Sequence, residues 1–433
     1  MKFPRYFCIV AAFVALSALH AGAQAVTPQP SPTPSTPQSN TAQIVKAPVV
    51  ALPIKNFKLL SSGTGWVSTG SQLLFTTDNG AHWKDISPPN PNQDGYSSVF
   101  FLDADTGWVL LSHDIQEGEN PTPKSVENNE VLYVSATTNG GTTWTKEDLP
   151  TWEGQHGLNG GGIITFADKL HGWMSLAESR NRLFADNATL STSDGGKTWI
   201  WANSGIQGEV KGILAVTDKD IWMVGRGRGE DGSQFGVSHD GGESFQAVVM
   251  PVPKEFSSFG YPEYTLPTFT DNLNGYEAVT YSDYGASKSV AVMYATKDGG
   301  RTWKQDRLLS NLAEEETVES TVAGSVWILP FAPPGQQLTL VKLLSGDKIA
   351  ATAHKDNGDF NNCELSFLTV NDGWMNCSGS LSSTIDGGSS WANISPRAHN
   401  GVLTTDPITP VPAPKPIKTY PLKLANPKPG QPN

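Results

Sequence analysis

An eight-residue turn motif occurs six times in this chain and constrains its fold more than any other feature of the sequence. The motif reads Ser or Thr, any residue, Asp, any residue, Gly, any residue, Ser or Thr, and an aromatic residue, with single departures in the first two copies. Repetition of one turn along the chain predicts a repeat protein built from a single supersecondary unit. The copies span residues 76–83, 137–144, 192–199, 238–245, 296–303 and 384–391.

A second marker, Gly-Trp or a close variant, opens a run of apolar residues seven times, at 65–66, 107–108, 172–173, 221–222, 275–276, 326–327 and 373–374. Short apolar runs separated by Gly, Asn, Asp and Pro are typical of strands joined by turns. Seven markers predict an all-β, seven-bladed β-propeller with four antiparallel strands per blade, over residues 49–396. The unit that Trp327 opens lacks the turn motif, with 345–347 as a degenerate candidate, so six blades plus an irregular insertion remain the alternative.

The third position of each turn carries a side-chain acceptor, and we interpret these residues as structural. An acceptor here can bond the N–H groups of its own turn, and the following glycines permit a positive φ. Each turn supplies one carboxylate at most, whereas Ca²⁺ takes six or more oxygens, so neither a metal nor another cofactor is predicted. The acceptors are Asp78, Asn139, Asp194, Asp240, Asp298 and Asp386.

The ends of the chain predict export. Residues 1–25 combine Lys2 and Arg5 with a short apolar run and small-residue cleavage sites, which is the pattern of a signal peptide, although an uncleaved anchor remains the alternative. Residues 26–48 read as a Pro/Ser/Thr-rich linker, and 397–433 as a Pro-rich tail. We therefore expect a periplasmic or secreted protein with no transmembrane segment after cleavage.

Charge and cysteine content fit that location. Removing the signal changes the formal net charge from −12 to −14, which argues against a nucleic-acid partner. Cys363 and Cys377 flank two short strands joined by a turn near 370–372, so antiparallel pairing places them opposite each other. In an oxidising compartment such a pair predicts a structural disulfide.

The turn motif resembles the Asp-box, or bacterial neuraminidase repeat, and a Gly-Trp strand precedes it in residues 65–67 before 76–83 and 172–174 before 192–199. The combination is similar to the photosystem II stability and assembly factor family. The resemblance covers residues 55–396 and implies a seven-bladed propeller that acts as a non-catalytic scaffold for an exported or membrane-associated protein.

Sialidases share the Asp-box, and that resemblance implies an Arg triad and an Arg-Ile-Pro segment near the start of the domain. After the signal no Arg precedes Arg180, and Arg-Ile-Pro does not occur. A glycan-binding or glycoside-hydrolysing propeller remains the alternative function. Its candidate carboxylates are Glu263, Glu277 and Asp283, since a pair of carboxylates is the minimum for glycoside hydrolysis.

The propeller face opposite the turns is the predicted binding surface, because its loops are the longer set. Arg180, Arg182, Arg226 and Arg228 follow the second strands of consecutive blades and should cluster, as a site for an anionic partner. Surface ion pairs with neighbouring acids would explain the same arginines. Aromatic residues of the same face could grip a peptide or stack on sugars, or simply pack their loops. They are Trp152, Tyr261, Tyr264, Tyr281 and Tyr284.

Overall fold

The computed structural model describes residues 49–404 apart from 71, 91–93, 115–129, 151–157, 179–185, 228–232, 258–261, 284–287, 313–316, 323–324, 330–337, 345–347, 355–362 and 400–401. The predicted signal peptide and linker, and the tail beyond residue 404, lie outside the described residues. Among the residues described, no helix is long and apolar enough to cross a membrane.

Short antiparallel strands account for the described fold, and in chain order they form seven successive sheets. The strand β1 (Val49–Ala51) precedes sheet one, which contains β2 (Asn56–Ser61), β3 (Thr64–Ser68), β4 (Leu73–Thr76) and β5 (Lys84–Asp85). Sheet two contains β6 (Gly95–Phe101), β7 (Gly107–Asp114), β8 (Glu130–Thr137) and β9 (Thr145–Asp148). Sheet three contains β10 (Leu158–Phe166), β11 (Gly172–Glu178), β12 (Asp186–Thr192) and β13 (Ile200–Ala202).

The remaining sheets follow the same plan, in which each strand pairs with the next one along the chain, except that the first and second strands of sheet five both pair with its third strand. Sheet four contains β14 (Gly208–Ala215), β15 (Ile221–Gly227), β16 (Ser233–Ser238) and β17 (Gln246–Ala247). After a short 3₁₀ turn (Lys254–Phe256), sheet five contains β18 (Pro262–Tyr264), β19 (Thr268–Phe269), β20 (Gly275–Asp283), β21 (Lys288–Thr296) and β22 (Lys304–Leu312). Sheet six contains β23 (Thr317–Val322), β24 (Ser325–Leu329), β25 (Leu338–Leu344) and β26 (Lys348–His354). Sheet seven contains β27 (Cys363–Phe367), β28 (Gly373–Cys377), β29 (Ser380–Thr384) and β30 (Ala392–Asn393).

These sheets confirm the all-β class and the four-stranded antiparallel unit predicted from the two markers. Each Gly-Trp-like marker lies within the first three residues of the strand that pairs with the inner edge of its sheet. Sheet five differs because its inner edge is split between β18 and β19, which both pair with β20. Sheet six is four-stranded although it lacks the turn motif, and its candidate turn at 345–347 lies outside the described residues.

The hydrophobic core lies between consecutive sheets, as in a β-propeller, where each blade buries its faces against its neighbours. The indole of Trp108 from sheet two stacks on Phe166 of sheet three, with ring centroids 3.5 Å apart and planes 7° apart. Trp327 of sheet six stacks in the same way on Phe367 of sheet seven, at 3.9 Å. The aromatic residue of the second marker therefore packs across the gap to the next sheet.

Sheet seven packs against sheet one, although the two lie at opposite ends of the sequence. One buried cluster contains Val67 and Trp83 from sheet one together with Trp374 and Leu381 from sheet seven. The Trp83 indole N–H donates to the Ile394 carbonyl at 2.9 Å. The first and last sheets are therefore joined by a buried apolar interface like those between consecutive sheets.

A small sheet next to this interface pairs the two ends of the described chain. It contains β1, β31 (Arg397–His399) and β32 (Val402–Leu403), with Val50 opposite Ala398. Ala398 is buried. Strands β31 and β32 thus lie just beyond the predicted boundary at residue 396, before the Pro-rich segment that begins at Pro407.

Candidate functional site

The repeated turn is closed by its own side chains, as residues 192–199 illustrate. The Thr192 hydroxyl donates to Asp194 Oδ1 at 2.8 Å and accepts the Gly196 N–H at 3.0 Å. The Asp194 carboxylate accepts the N–H and the hydroxyl of Thr198, at 2.9 and 2.7 Å. Burial raises the pKa of Asp194, but these hydrogen bonds outweigh it and leave the pKa below its usual value.

The other five copies repeat this network, with Asn139 and His82 filling the two departures from the pattern. Hydrogen bonds from the hydroxyl and N–H of Ser244 and from Ser238 lower the pKa of Asp240 to about 2. In the described part of the chain, no group of three or more His, Cys, Asp and Glu side chains is placed to hold a metal ion. The turn carboxylates act as acceptors within the backbone of their own turns.

The six turns lie at one end of their sheets, which we call the turn end. The Gly195 N–H donates to the Leu170 carbonyl, in the loop between the first two strands of the same sheet, at 2.9 Å. Gly241 makes the equivalent bond to Lys219 at 3.0 Å. The loops between second and third strands therefore lie at the other end, which we call the loop end.

In sheets three and four the turn also accepts a hydrogen bond from the marker tryptophan of the preceding sheet. The indole N–H of Trp108 donates to the Gly195 carbonyl at 2.8 Å, and Trp173 does the same to Gly241 at 3.1 Å. At Gly300, which has a φ of +83°, an added Cβ would lie 2.2 Å from the Trp222 ring. The Gly-Trp marker of one sheet and the turn motif of the next sheet thus contact each other.

A change at Asp194 tests this structural role. We expect Asp194→Ala to destabilise the protein by about 1 kcal/mol, because three hydrogen bonds lose their acceptor on an accessible surface. Asp194→Asn should cost less than the alanine change, since Asn139 accepts and donates equivalent bonds in sheet two. Urea unfolding at pH 7 measures both; equal losses for the two variants would contradict the assignment.

Arg226 is the one arginine of the predicted cluster whose side chain is described. It lies exposed near the end of β15, opposite Glu209 of β14, at the loop end of sheet four. Arg180, Arg182 and Arg228 lie outside the described residues or have no described side chain. In sheet three the equivalent strand β11 ends at Glu178, two residues before Arg180.

The predicted aromatic surface is corrected at two of its five residues. Tyr281 is fully buried, with its hydroxyl 3.1 Å from that of Tyr294. Tyr264 is half-buried and stacks on Phe235 of sheet four, with centroids 5.3 Å apart. Both pack between sheets four and five because β18 and β20 turn these side chains inward. Trp152, Tyr261 and Tyr284 lie outside the described residues.

Glu277 is also buried, which removes it from the candidate carboxylates accessible to a glycan. It accepts the Thr265 N–H at 3.0 Å through Oε1, while Oε2 has no hydrogen-bond partner among the described atoms. Burial raises the pKa of Glu277 well above its usual value, and the bonds from Thr265 only partly oppose this shift. Glu263 is exposed on β18, and the side chain of Asp283 is not described.

The sequence comparison of the sheets shows how unusual Glu277 is. It is the third residue of its marker strand, where the other six sheets carry an apolar residue. Those residues are Val67, Val109, Met174, Met223, Ile328 and Met375. The position of Glu277 directly after the marker residue Tyr276 was therefore a signal in the sequence. It indicates a buried side chain rather than an accessible acid.

The Cys363–Cys377 disulfide closes the inner edge of sheet seven. The two residues are register partners on β27 and β28, with Cα atoms 4.1 Å apart, and the S–S bond is present. Both side chains pack against the Trp327 cluster between sheets six and seven. The bond therefore links two neighbouring strands and has a structural position.

A cavity of about 460 Å³ lies where the first strands of the sheets converge, and we call it the central cavity. Residues of β2, β6, β10 and β14 line it, together with Leu266 of sheet five and Glu364 of β27. Ser98 Oγ accepts the Ile164 N–H at 3.2 Å across two of these strands. The cavity is thus lined by the inner edges of different sheets, is open to solvent and belongs to no single sheet.

Lys58 of β2 is the cationic side chain among the residues that line this cavity. The Lys58 side chain is exposed to solvent at the cavity, although desolvation by the surrounding strands lowers the pKa of its ammonium group. No hydrogen bond or ion pair to Lys58 is present among the described residues. Sequence reasoning missed it because a single Lys in the strand Asn56–Ser61 looks like an ordinary solvent-facing residue.

The described sheets form a β-propeller-like fold. No family model matches the sequence, and no curated protein matches it. Among solved structures, the chain is similar to YCF48 bound to a D1 peptide, at 14% identity and a TM-score of 0.44, covering 79% of this chain and 94% of that chain.

Two enzymes among the solved structures give comparable values. A GH74 xyloglucanase from Xanthomonas campestris matches at 12% identity and a TM-score of 0.43, over 79% of this chain and 54% of the enzyme. The Hadza microbial sialidase Hz136 matches at 13% identity and 0.39, over 64% of this chain and 63% of the sialidase. At such values these likenesses carry no argument about function.

Proposed function

We propose that this chain is an exported, non-catalytic β-propeller, closed from seven blades into one ring, that binds a protein partner as a scaffold. The contact between sheets seven and one supports the closed ring, because a buried cluster and two indole hydrogen bonds join sheets that lie more than 290 residues apart. In this proposal the repeated turns are Asp-boxes, as the sequence resemblance implies. A closed ring is a rigid frame that holds its loops at fixed spacing.

The loop end is the proposed binding surface, and the position of Arg226 is the observation that carries the proposal. Arg226 is exposed at the loop end, on a strand equivalent to β11 of the neighbouring sheet. Consecutive sheets of a propeller hold equivalent loops side by side. We infer that Arg180 and Arg182, which follow β11, stand next to Arg226 and Arg228.

Such a cluster would attract an anionic partner. Four of the seven arginines that follow the predicted signal would lie in one region of a chain with formal net charge −12. Guanidinium groups bind carboxylates through paired N–H donors, which favours an acidic protein segment. The partner is proposed to be an exported or membrane-associated protein.

A matched pair of fourfold variants tests this proposal. Arg180, Arg182, Arg226 and Arg228 changed together to Ala should weaken partner capture by roughly tenfold or more, since each charge-assisted hydrogen bond contributes about 1.5–3 kcal/mol. The control removes four positive charges from the turn end, at Lys169, Lys197, Lys219 and Lys297, which are all exposed. Capture by immobilised protein, followed by mass spectrometry and titration of the recovered partner, measures both. Equal weakening would contradict the proposal.

The alternative function, glycan binding or hydrolysis, is examined with the same proteins. Sialosides and plant or bacterial polysaccharides are screened for binding and turnover. Turnover that disappears in Glu263→Gln or Asp283→Asn would replace the scaffold proposal with a catalytic one. Binding without turnover that survives the fourfold Arg change would identify a glycan-binding propeller.

A further inference from the structure

The central cavity has the size and lining of a small-molecule site, independently of any partner at the loop end. Its volume of about 460 Å³ falls within the range of ligand pockets, roughly 300–1,000 Å³. Apolar side chains form much of its wall, including Phe57, Phe100, Leu214 and Leu266. Pockets of this kind hold a ligand by apolar contact and orient it with a few polar groups.

The polar groups of this cavity are mainly donors. Lys58 brings an ammonium group that has no acceptor among the described residues. The hydroxyls of Ser98 and Thr165 accept the N–H groups of Ile164 and Ala215, at 3.2 and 3.4 Å. Each of these hydroxyls therefore keeps its own proton for a further acceptor, and none is donated to a described atom. Three residues that carry donors, from three different sheets, thus line the same cavity.

Lys58 also occupies a special place in the repeat. It pairs across β2–β3 with the marker residue Trp66, and the equivalent partners of Trp108, Trp173 and Trp222 are Phe100, Thr165 and Leu214. The repeat itself requires no charge at this level of the cavity wall. An unpaired ammonium group beside an apolar wall attracts an anion more strongly than an ammonium group in bulk water does.

We propose that the central cavity binds a small organic monocarboxylate, with its anionic group on Lys58 and its apolar body against the aromatic and aliphatic wall. The hydroxyls of Ser98 and Thr165 supply the neutral donors. Glu364, which also lines the cavity and forms no ion pair with Lys58 among the described contacts, opposes ligands that carry more than one negative charge. A dianionic phosphate is therefore disfavoured relative to a carboxylate.

The lowered pKa of Lys58 predicts a linkage between binding and protonation. A carboxylate stabilises the charged ammonium, so binding raises this pKa and favours proton uptake. Affinity should therefore fall as the pH rises through the pKa of Lys58 in the free protein. A ligand held by apolar contact alone would show no such dependence.

Calorimetric titration of the full-length mature chain tests the proposal with four probes: 3-phenylpropionate, hexanoate, 3-phenylpropionamide and inorganic phosphate. Both carboxylates should bind, and the neutral amide should bind roughly 10- to 100-fold more weakly than its acid, since it lacks a charge-assisted bond. Phosphate should not compete. Failure of both carboxylates to bind at millimolar concentration, or stronger binding of phosphate, would overturn the proposal.

Two lysine variants identify the site. Lys58→Met keeps a long, unbranched side chain and removes the charge. It should abolish carboxylate binding without lowering the melting temperature. The control Lys55→Met changes an exposed lysine three positions earlier that does not line the cavity, and it should bind as the unaltered chain does. Unchanged binding by Lys58→Met, with its fold verified by melting, would contradict the assignment.

Discussion

Replacing Trp374 with Ala is expected to destabilise the protein by about 3–5 kcal/mol, as for other large aromatic side chains removed from a core. The Trp374 side chain is completely buried, and its ring lies 6.0 Å from that of Trp83 in sheet one. Its indole N–H donates to Asn79 Oδ1 at 3.2 Å, in the repeated turn of sheet one. Gly65 packs directly on the same ring. The substitution opens a cavity where the first and last sheets meet.

The loss of unfolding free energy in Trp374→Ala measures how much the contact between the first and last sheets stabilises the protein. Total stabilities of about 5–15 kcal/mol are usual, so the expected change is a large fraction. Urea unfolding, followed by circular dichroism, gives the free energy for Trp374→Ala and for a control, Trp201→Ala, which removes a half-buried indole from the outer strand β13. The control should lose less than half as much. Equal losses would mean that sheets seven and one do not form a packed interface.

Replacing Glu277 with Gln is expected to give a variant whose unfolding free energy, relative to that of the unaltered chain, increases as the pH rises. Burial raises the pKa of this carboxyl in the folded state, so the folded chain retains a proton that the unfolded chain releases above its ordinary pKa of about 4.3. Stability is therefore lost as the pH rises from that value towards the raised pKa, by up to about 1.4 kcal/mol per pH unit. Gln keeps the acceptor for the Thr265 N–H and does not ionise.

The difference in unfolding free energy between Glu277→Gln and the unaltered chain, measured at pH 5, 6.5 and 8, isolates this effect from other titrations. The advantage of the variant should grow with pH. The control Glu263→Gln changes an exposed carboxyl of the same sheet and should show no such trend. A constant difference across the three pH values would show that Glu277 titrates normally.

The repeat could be read from the sequence because its turn chemistry is local. The Thr192, Asp194 and Thr198 contacts span no more than six residues, so their pattern survives in one dimension. The marker Trp108 was recognisable for the same reason, as the start of a strand. Its hydrogen bond to Gly195 was not, because that contact joins residues of different sheets.

The residues of the candidate sites were harder to predict because their surroundings come from distant parts of the chain. The sequence predicts that Tyr281 lies on the loop face. In the structure β20 runs for nine residues, to Asp283, and packs Tyr281 against sheet four. Lys58 lines the central cavity only because the inner strands of several sheets converge around it. Strand length and convergence depend on packing, and neither follows from local sequence.

The most direct test of the binding surface uses two positions of one strand and its preceding loop. Lys219 is exposed at the turn end of sheet four, and Arg226 is exposed at its loop end. A photoreactive phenylalanine analogue placed at either position, in the protein expressed in its native compartment, reports which end meets the partner. The scaffold proposal predicts a crosslinked partner from position 226 and none from position 219. Crosslinking from position 219, or none from position 226, would contradict it.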